Sequence, residues 1–108
     1  MNLMQDAPNV VSEDGLRALL AEGHSADVLC RVTPTRTSAQ WSGVWTVHCL
    51  SSDGEKRRLL VTSRNNMVGR EFKTINGLVS FLAGLGVSIV SIPMLEGKVA
   101  SHKLDDAS

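Results

Sequence analysis

A chain of 108 residues is long enough for one domain with a modest core, and its 43% hydrophobic and 20% charged residues are ordinary for a globular protein. No run approaches the ~18 apolar residues of a membrane span, so no membrane is expected. Eleven basic side chains balance eleven acidic ones, and with no Tyr and two Phe, platforms for stacking bases are scarce.

The balance of charge hides an asymmetry. Residues 1–29 carry Asp6, Glu13, Asp14, Glu22 and Asp27 against Arg17. Residues 30–73 carry Arg31, Arg36, Lys56, Arg57, Arg58, Arg64, Arg70 and Lys73 against Asp53, Glu55 and Glu71. Either the two parts attract each other, or the middle presents a basic face to an acidic partner. The N-terminal "MNLMQDAPNVV" has no basic segment and is interrupted by Asp6 and Pro8, so no secretory leader is expected and the location is taken as cytoplasmic. Cys30 and Cys49 then read as buried free thiols rather than a disulfide.

In chain order, Ser12 is an N-cap followed by Glu13 and Asp14 in the first turn. Val11 and Leu16 are placed to staple it, and Leu16, Leu19 and Leu20 make one apolar stripe that stops at Gly23. This is a short helix. "DVLCRV" alternates and predicts a strand. "TPTRTSAQ", residues 33–40, is polar and contains Pro34, which predicts a long loop or an irregular edge. "VWTVHCLSSDGEKRRLLVTS" is a hairpin turning at Asp53-Gly54. A two-residue turn would set Val47 across from Leu60 and Cys49 across from Arg58. A three-residue loop, Ser52–Gly54, segregates polarity better by placing Trp45, Val47, Cys49, Leu59 and Val61 on one face, and is the register expected. "RNNMVGRE" is a turn or the tip of a second hairpin, with "REFK" returning as strand.

Thr74 caps a second helix in which Ile75, Leu78, Val79, Leu82 and Leu85 keep the 3.6 period. Gly86 at C′ and Val87 at C″ complete a Schellman ending against Leu82. "SIVSIP" then predicts a strand apolar on both faces. The order α-β-β-β-α-β gives an α+β domain over residues 1–95, a mostly antiparallel sheet of about four strands with two helices, and a mobile polar tail over 96–108.

Chemistry-bearing motifs are scarce. There is no phosphate loop, dinucleotide fingerprint or His-Glu-x-x-His helix. His48 and Cys49 are adjacent in a strand, so they point to opposite faces and cannot easily share a metal ion. No cofactor, metal, small-molecule substrate or catalytic residue is expected. Two features point outward instead. Trp41 and Trp45 lie four apart in an extended stretch, and Phe81 sits at the margin of an apolar stripe that one small sheet cannot cover. Together with the basic set Arg57, Arg58, Arg64, Arg70 and Lys73 they are the candidate partner-binding residues. The expected partner is a protein, with a homodimer through residues 72–92 and the Trp-bearing hairpin as one form of it. Nucleic acid held by the basic hairpin is the alternative.

From Asp53 to Ile92 the chain resembles plasmid partition-accessory (ParC-like) proteins. Arg70, Phe72, Lys73, Thr74, Leu85 and Gly86 carry the match: an Arg-x-Phe-Lys-Ser/Thr-like lead-in, a helix ending Leu-Gly, and then a terminal strand. The resemblance implies a mobile genetic element and brings no catalytic residues with it. A non-enzymatic module that docks on a larger protein in plasmid maintenance is the expected function. An anti-CRISPR-type inhibitor that blocks or disassembles a host defence complex is the alternative within that setting.

Overall fold

The computed structural model describes residues 9–62 and 68–104. The chain forms, in order, β1 (Val10–Val11), α1 (Glu13–Ala21), β2 (Ser25–Thr37), β3 (Gln40–Leu50), β4 (Arg57–Leu60), β5 (Glu71–Thr74), α2 (Ile75–Gly84) and β6 (Val99–His102). The class is α+β as the pattern of elements predicts, but the sheet holds six strands rather than four. Its order is β1-β4-β3-β2-β6, with β5 beside the first half of β3. Every ladder is antiparallel except β1 with β4.

Both helices begin where local chemistry says they should. The Ser12 hydroxyl accepts the Gly15 N–H at 3.1 Å and the Thr74 hydroxyl accepts the Gly77 N–H at 3.1 Å, each satisfying an amide that has no partner within the helix. α2 ends in the Schellman motif: Val87 N–H donates to Leu82 O and Gly86 N–H to Ala83 O. The residue between them, Gly86, has φ +103°, which favours glycine. The Arg17 guanidinium donates to Gly84 O at 2.8 Å, so α1 helps close the carbonyl end of α2.

One apolar cluster joins Leu16 and Leu20 of α1, Leu78, Phe81 and Leu82 of α2, and the inward side chains Ala26, Val28, Cys30, Trp45, Val47, Cys49, Leu60 and Phe72 of the strands. Residues 87–98 form an arm that returns over this same face, with Val87 buried and Val90 and Ile92 partly so. The described molecule is 22 Å across its shortest axis. That is room for one sheet and one layer of helices at about 10 Å spacing with their side chains, and the opposite sheet face carries neither helix.

Four sequence expectations need correction. Residues 33–37, expected as a long loop or an irregular edge, are bulged strand: β2 runs on to Thr37 and turns into β3 through Ser38-Ala39, with Thr37 paired to Gln40. Register shifts between Cys30 and Val32 and between Val32 and Thr35 absorb extra residues, Pro34 among them, and these bulges broke the alternation that would have marked a strand. The β3–β4 register pairs Cys49 with Arg58 and His48 with Leu59, which is the alternative set aside on polarity. A web of short bonds fixes it. The Ser51 hydroxyl accepts the Glu55 and Lys56 N–H groups, Asp53 Oδ1 accepts the Glu55 N–H and the Ser51 hydroxyl proton, and Ser51 N–H reaches Lys56 O. Leu60, not Leu59, therefore enters the core.

Residues 88–92 form no strand. The arm's polar groups are taken by side chains instead: Ser91 N–H donates to His102 Nε2 at 2.9 Å, and Pro93 O accepts the Trp45 indole N–H at 2.9 Å. The strand that does close the sheet, β6, lies in the segment read as a mobile tail, pairing Val99 to His102 with Leu29 to Ala26. It holds because His102 is buried with its second ring nitrogen 3.2 Å from Ala26 O. The second hairpin is present: Val61 bridges Gly69, and residues 71–74 return as β5. Its tip, 63–67, lies outside the described residues.

Candidate interaction surfaces

The residues singled out from the sequence do not gather into one site. Trp45 is fully buried and plugs the core. Phe81, expected at the surface, is 9% exposed and packs against Phe72 with ring centroids 4.9 Å apart. Part of the apolar area counted on 72–92 is thus consumed internally: Phe72 of β5 meets Phe81, and Val90 and Ile92 pack on the core, while Ile89 stays exposed. The dimer expected through this unit loses its main residue.

The basic set is dispersed as well. The Arg70 guanidinium carbon sits 4.8 Å from the centroids of both phenylalanine rings and its Nη1 lies 3.3 Å from Glu13 Oε1. Lys73 stands 3.8 Å from Glu71 on its own strand. Arg57 pairs with Leu50 and Arg58 with Cys49, so these two point to opposite faces of the sheet. Arg64 lies outside the described residues. A continuous basic track of the kind that follows a phosphate backbone is not formed by Arg57, Arg58, Arg70 and Lys73.

Trp41 is different. Beyond the second bulge, β2 and β3 leave the core as a two-stranded ribbon, and Trp41 stands near its tip, 39% exposed, paired across to Arg36. The ribbon is held close at its base by Gly43: a Cβ there would lie 2.9 Å from Val32 O and 3.0 Å from both Cα and Cβ of Pro34. Ser42 pairs with Thr74, which sets the ribbon beside the start of α2. Between them lies a groove of about 830 Å³, with Trp41, Ile75 and Val79 as its apolar surface and Thr37, Gln40 and Asn76 as polar lining. Sequence reasoning named Trp41 but missed Ile75 and Val79 as surface groups. The signal was available: they lie four apart on α2, offset from the Leu78–Leu82 stripe, so the apolar face of this helix is wider than the sheet beneath it.

The remaining reactive groups are buried or half-buried, Cys49 in the core and His48 on the opposite sheet face. Burial pushes the Cys49 thiol above its ordinary pKa, which suits a core residue and not a nucleophile. Burial, then the charge of Arg57, holds His48 below its usual value against the opposing pull of Asp27. Both thiols are free. Among the described residues, no three His, Cys, Asp or Glu side chains converge as metal ligands would, and no helix is long and apolar enough to cross a membrane. No family model, curated protein or solved structure matches this chain.

Proposed function

We propose that this chain is a non-enzymatic docking module of a plasmid or phage that binds a larger protein through the Trp41 groove. The observation that carries the reading is the placement of Trp41. A tryptophan half open to solvent on a ribbon braced at Gly43, beside an apolar helix pair, is the composition of an interface anchor rather than of a fold-stabilising contact. Groove and anchor need no titratable group. The setting rests on the Arg70–Gly86 resemblance to partition-accessory proteins. Dispersal of the basic residues lowers the nucleic-acid alternative.

The test is a paired affinity purification. Wild-type chain and Trp41→Ala are used as baits in a host that carries the mobile element, with quantitative mass spectrometry of both eluates. A specific protein retained by wild type and depleted at least tenfold with Trp41→Ala supports the proposal. Identical retention by both baits, with the variant folded by circular dichroism, overturns it.

A further inference from the structure

The groove beside Trp41 has a charge character that its apolar surface does not reveal. Among the described residues its polar lining consists of hydroxyls and amides, with no carboxylate. Arg36 pairs directly across from Trp41, so the two side chains leave the same face of the ribbon, and both are exposed. Arg17, Arg70 and Lys73 are each held by a carboxylate. Arg36 makes no ion pair or hydrogen bond among the described residues, so its N–H donors stand open beside an exposed indole.

The lack of acid extends beyond the lining. The two stretches that frame the groove, 30–50 and 72–95, contain Arg31, Arg36 and Lys73 and no Asp or Glu. In a chain of zero formal net charge the balancing carboxylates stand elsewhere, as with Glu13 and Asp14 on α1 and Asp53 and Glu55 in the β3–β4 turn. Glu96 donates its amide to Thr33 on the β2 edge of the ribbon, whereas the groove opens at the β3 edge, where Ser42 meets Thr74.

We propose that the segment seated in this groove is an acidic, apolar peptide stretch of the partner protein. An aliphatic side chain enters between Trp41 and the Ile75–Val79 pair, and a flanking carboxylate meets Arg36. The proposal rests on the reading of the groove as the docking site and adds the chemistry of what docks there. Charge complementarity selects the carboxylate. It matches the guanidinium fork with two parallel bonds, whereas a basic segment would be repelled and a neutral one would leave the cation unanswered. Shape selects a peptide. The groove is aromatic on the ribbon side and aliphatic on the helix side. Its volume of about 830 Å³ lies within the ~300–1,000 Å³ of sites that enclose a small ligand, so it fits a few side chains and not a folded element. A nucleic acid strand is anionic too, but it needs successive cations along its phosphates. Beside this groove Lys73 is already paired with Glu71, which leaves Arg36 without a second cation to continue a track.

The test selects peptides from a random phage-displayed library on the immobilised full chain, and measures the enriched sequences as fluorescent synthetic peptides by anisotropy. The expected sequences carry Asp or Glu next to Leu, Ile or Val. Their binding should fall by roughly tenfold or more with Arg36→Glu and with Trp41→Ala, and by less with Arg36→Gln. It should also weaken as NaCl rises from about 50 mM to about 500 mM. Arg31→Gln, on the same strand but outside the groove, should leave it unchanged, and circular dichroism checks that each variant is folded. Enriched peptides that are basic or neutral, or that need Trp41 but ignore Arg36 and salt, overturn the inference and leave the docking reading standing. A library that yields no binder overturns it as well, while the paired purification reports on the docking reading by itself. A short single-stranded oligonucleotide that binds more tightly than the peptides, and loses that binding with Arg36→Glu, overturns it in favour of nucleic acid. A dimer of the full chain that Trp41→Ala dissolves in sedimentation equilibrium overturns it in favour of a second copy.

Discussion

The guanidinium of Arg70 lies over two aromatic rings at once, 4.8 Å from the centroid of Phe72 and 4.8 Å from that of Phe81, and reaches Glu13 of α1 with its outer nitrogen. One side chain thus lids the margin of the core where β5 and α2 meet and ties it to the first helix. The stacking contributes more than the ion pair. Arg70 and Glu13 are each more than a third exposed and water screens their attraction, whereas the cation faces two rings at close range. Arg70→Ala is expected to lower stability by about 1–2 kcal/mol. Arg70→Met, which keeps the stem and loses the charge, should cost about half as much. Urea unfolding of the three proteins checks this, and equal losses for both variants would show that packing alone matters.

Phe81→Ala should cost considerably more, about 3–4 kcal/mol, because it opens a cavity beside Phe72 and Leu82. In a domain whose whole stability is on the order of 5–10 kcal/mol, that brings the variant close to its unfolding threshold. A drop below 1 kcal/mol by thermal and urea unfolding would return Phe81 to the surface.

These outcomes separate what was legible in the sequence from what was not. The helix boundaries were legible because their signals are local: a hydroxyl three residues before an amide at Ser12 and Thr74, and a positive-φ glycine at Gly86. The class followed from the order of elements. The register of β3 with β4 was not legible, because side-chain bonds from Ser51 and Asp53 outweighed the segregation of polarity and set Arg58 beside Cys49 at the margin of the core. β6 was hidden for a related reason. "VASH" has a weak pattern, and its burial depends on His102 meeting Ser91 and Ala26, partners 11 and 76 residues away. Trp41 stands exposed on the ribbon, whereas Phe81, expected at the surface, is buried: a surface count along one element cannot see Phe72 and Arg70 closing over it.

The arm itself is held at two points, Trp45 to Pro93 and Ser91 to His102. Since Ser91 N–H donates to Nε2, the ring proton sits on Nδ1 and is donated to Ala26 O, so a single neutral imidazole joins arm, β6 and β2. His102→Ala leaves a part-buried amide at Ser91 and a buried carbonyl at Ala26 without this partner, and should cost about 1–2 kcal/mol. Hydrogen exchange at Ser91 and along 99–102 should quicken first, while the caps of α1 and α2 stay protected. Uniform acceleration through the whole chain would show that the arm does not open as a separate unit.

His48 gives stability a pH dependence with a definite sign. Its folded-state pKa lies below the ordinary histidine value of about 6.5, chiefly through burial and then through Arg57. Above that value both folded and unfolded chains carry a neutral ring and the residue contributes no slope. As pH falls through 6.5 the unfolded chain takes the proton first, so stability declines until the lowered folded value is reached. Urea midpoints measured from about pH 7.5 to about pH 5 should fall, and His48→Gln should flatten part of that fall. A slope unchanged by the substitution would place its origin elsewhere.

Two glycines predict opposite effects of one added methyl group. At Gly43 the new Cβ would meet Val32 O at 2.9 Å and Pro34 Cα and Cβ at 3.0 Å, contacts with a backbone that cannot swing aside as a side chain can. Gly43→Ala must therefore spread β2 from β3 at the base of the ribbon, at an expected cost of about 1–3 kcal/mol. Trp41 is carried on the far side of that point, so its fluorescence should shift and the groove against Ile75 and Val79 should lose its shape. At Gly84, within the last turn of α2, a Cβ meets nothing within 4 Å, and the helix gains from the lost freedom of glycine in the unfolded chain. Gly84→Ala should stabilise by about 0.5–1 kcal/mol with Trp41 fluorescence unchanged. Urea unfolding and emission spectra of both variants decide the point. If Gly43→Ala folded with native stability and an unshifted Trp41, the ribbon would be free to flex at its base, and the rigidity on which the docking groove depends would be absent.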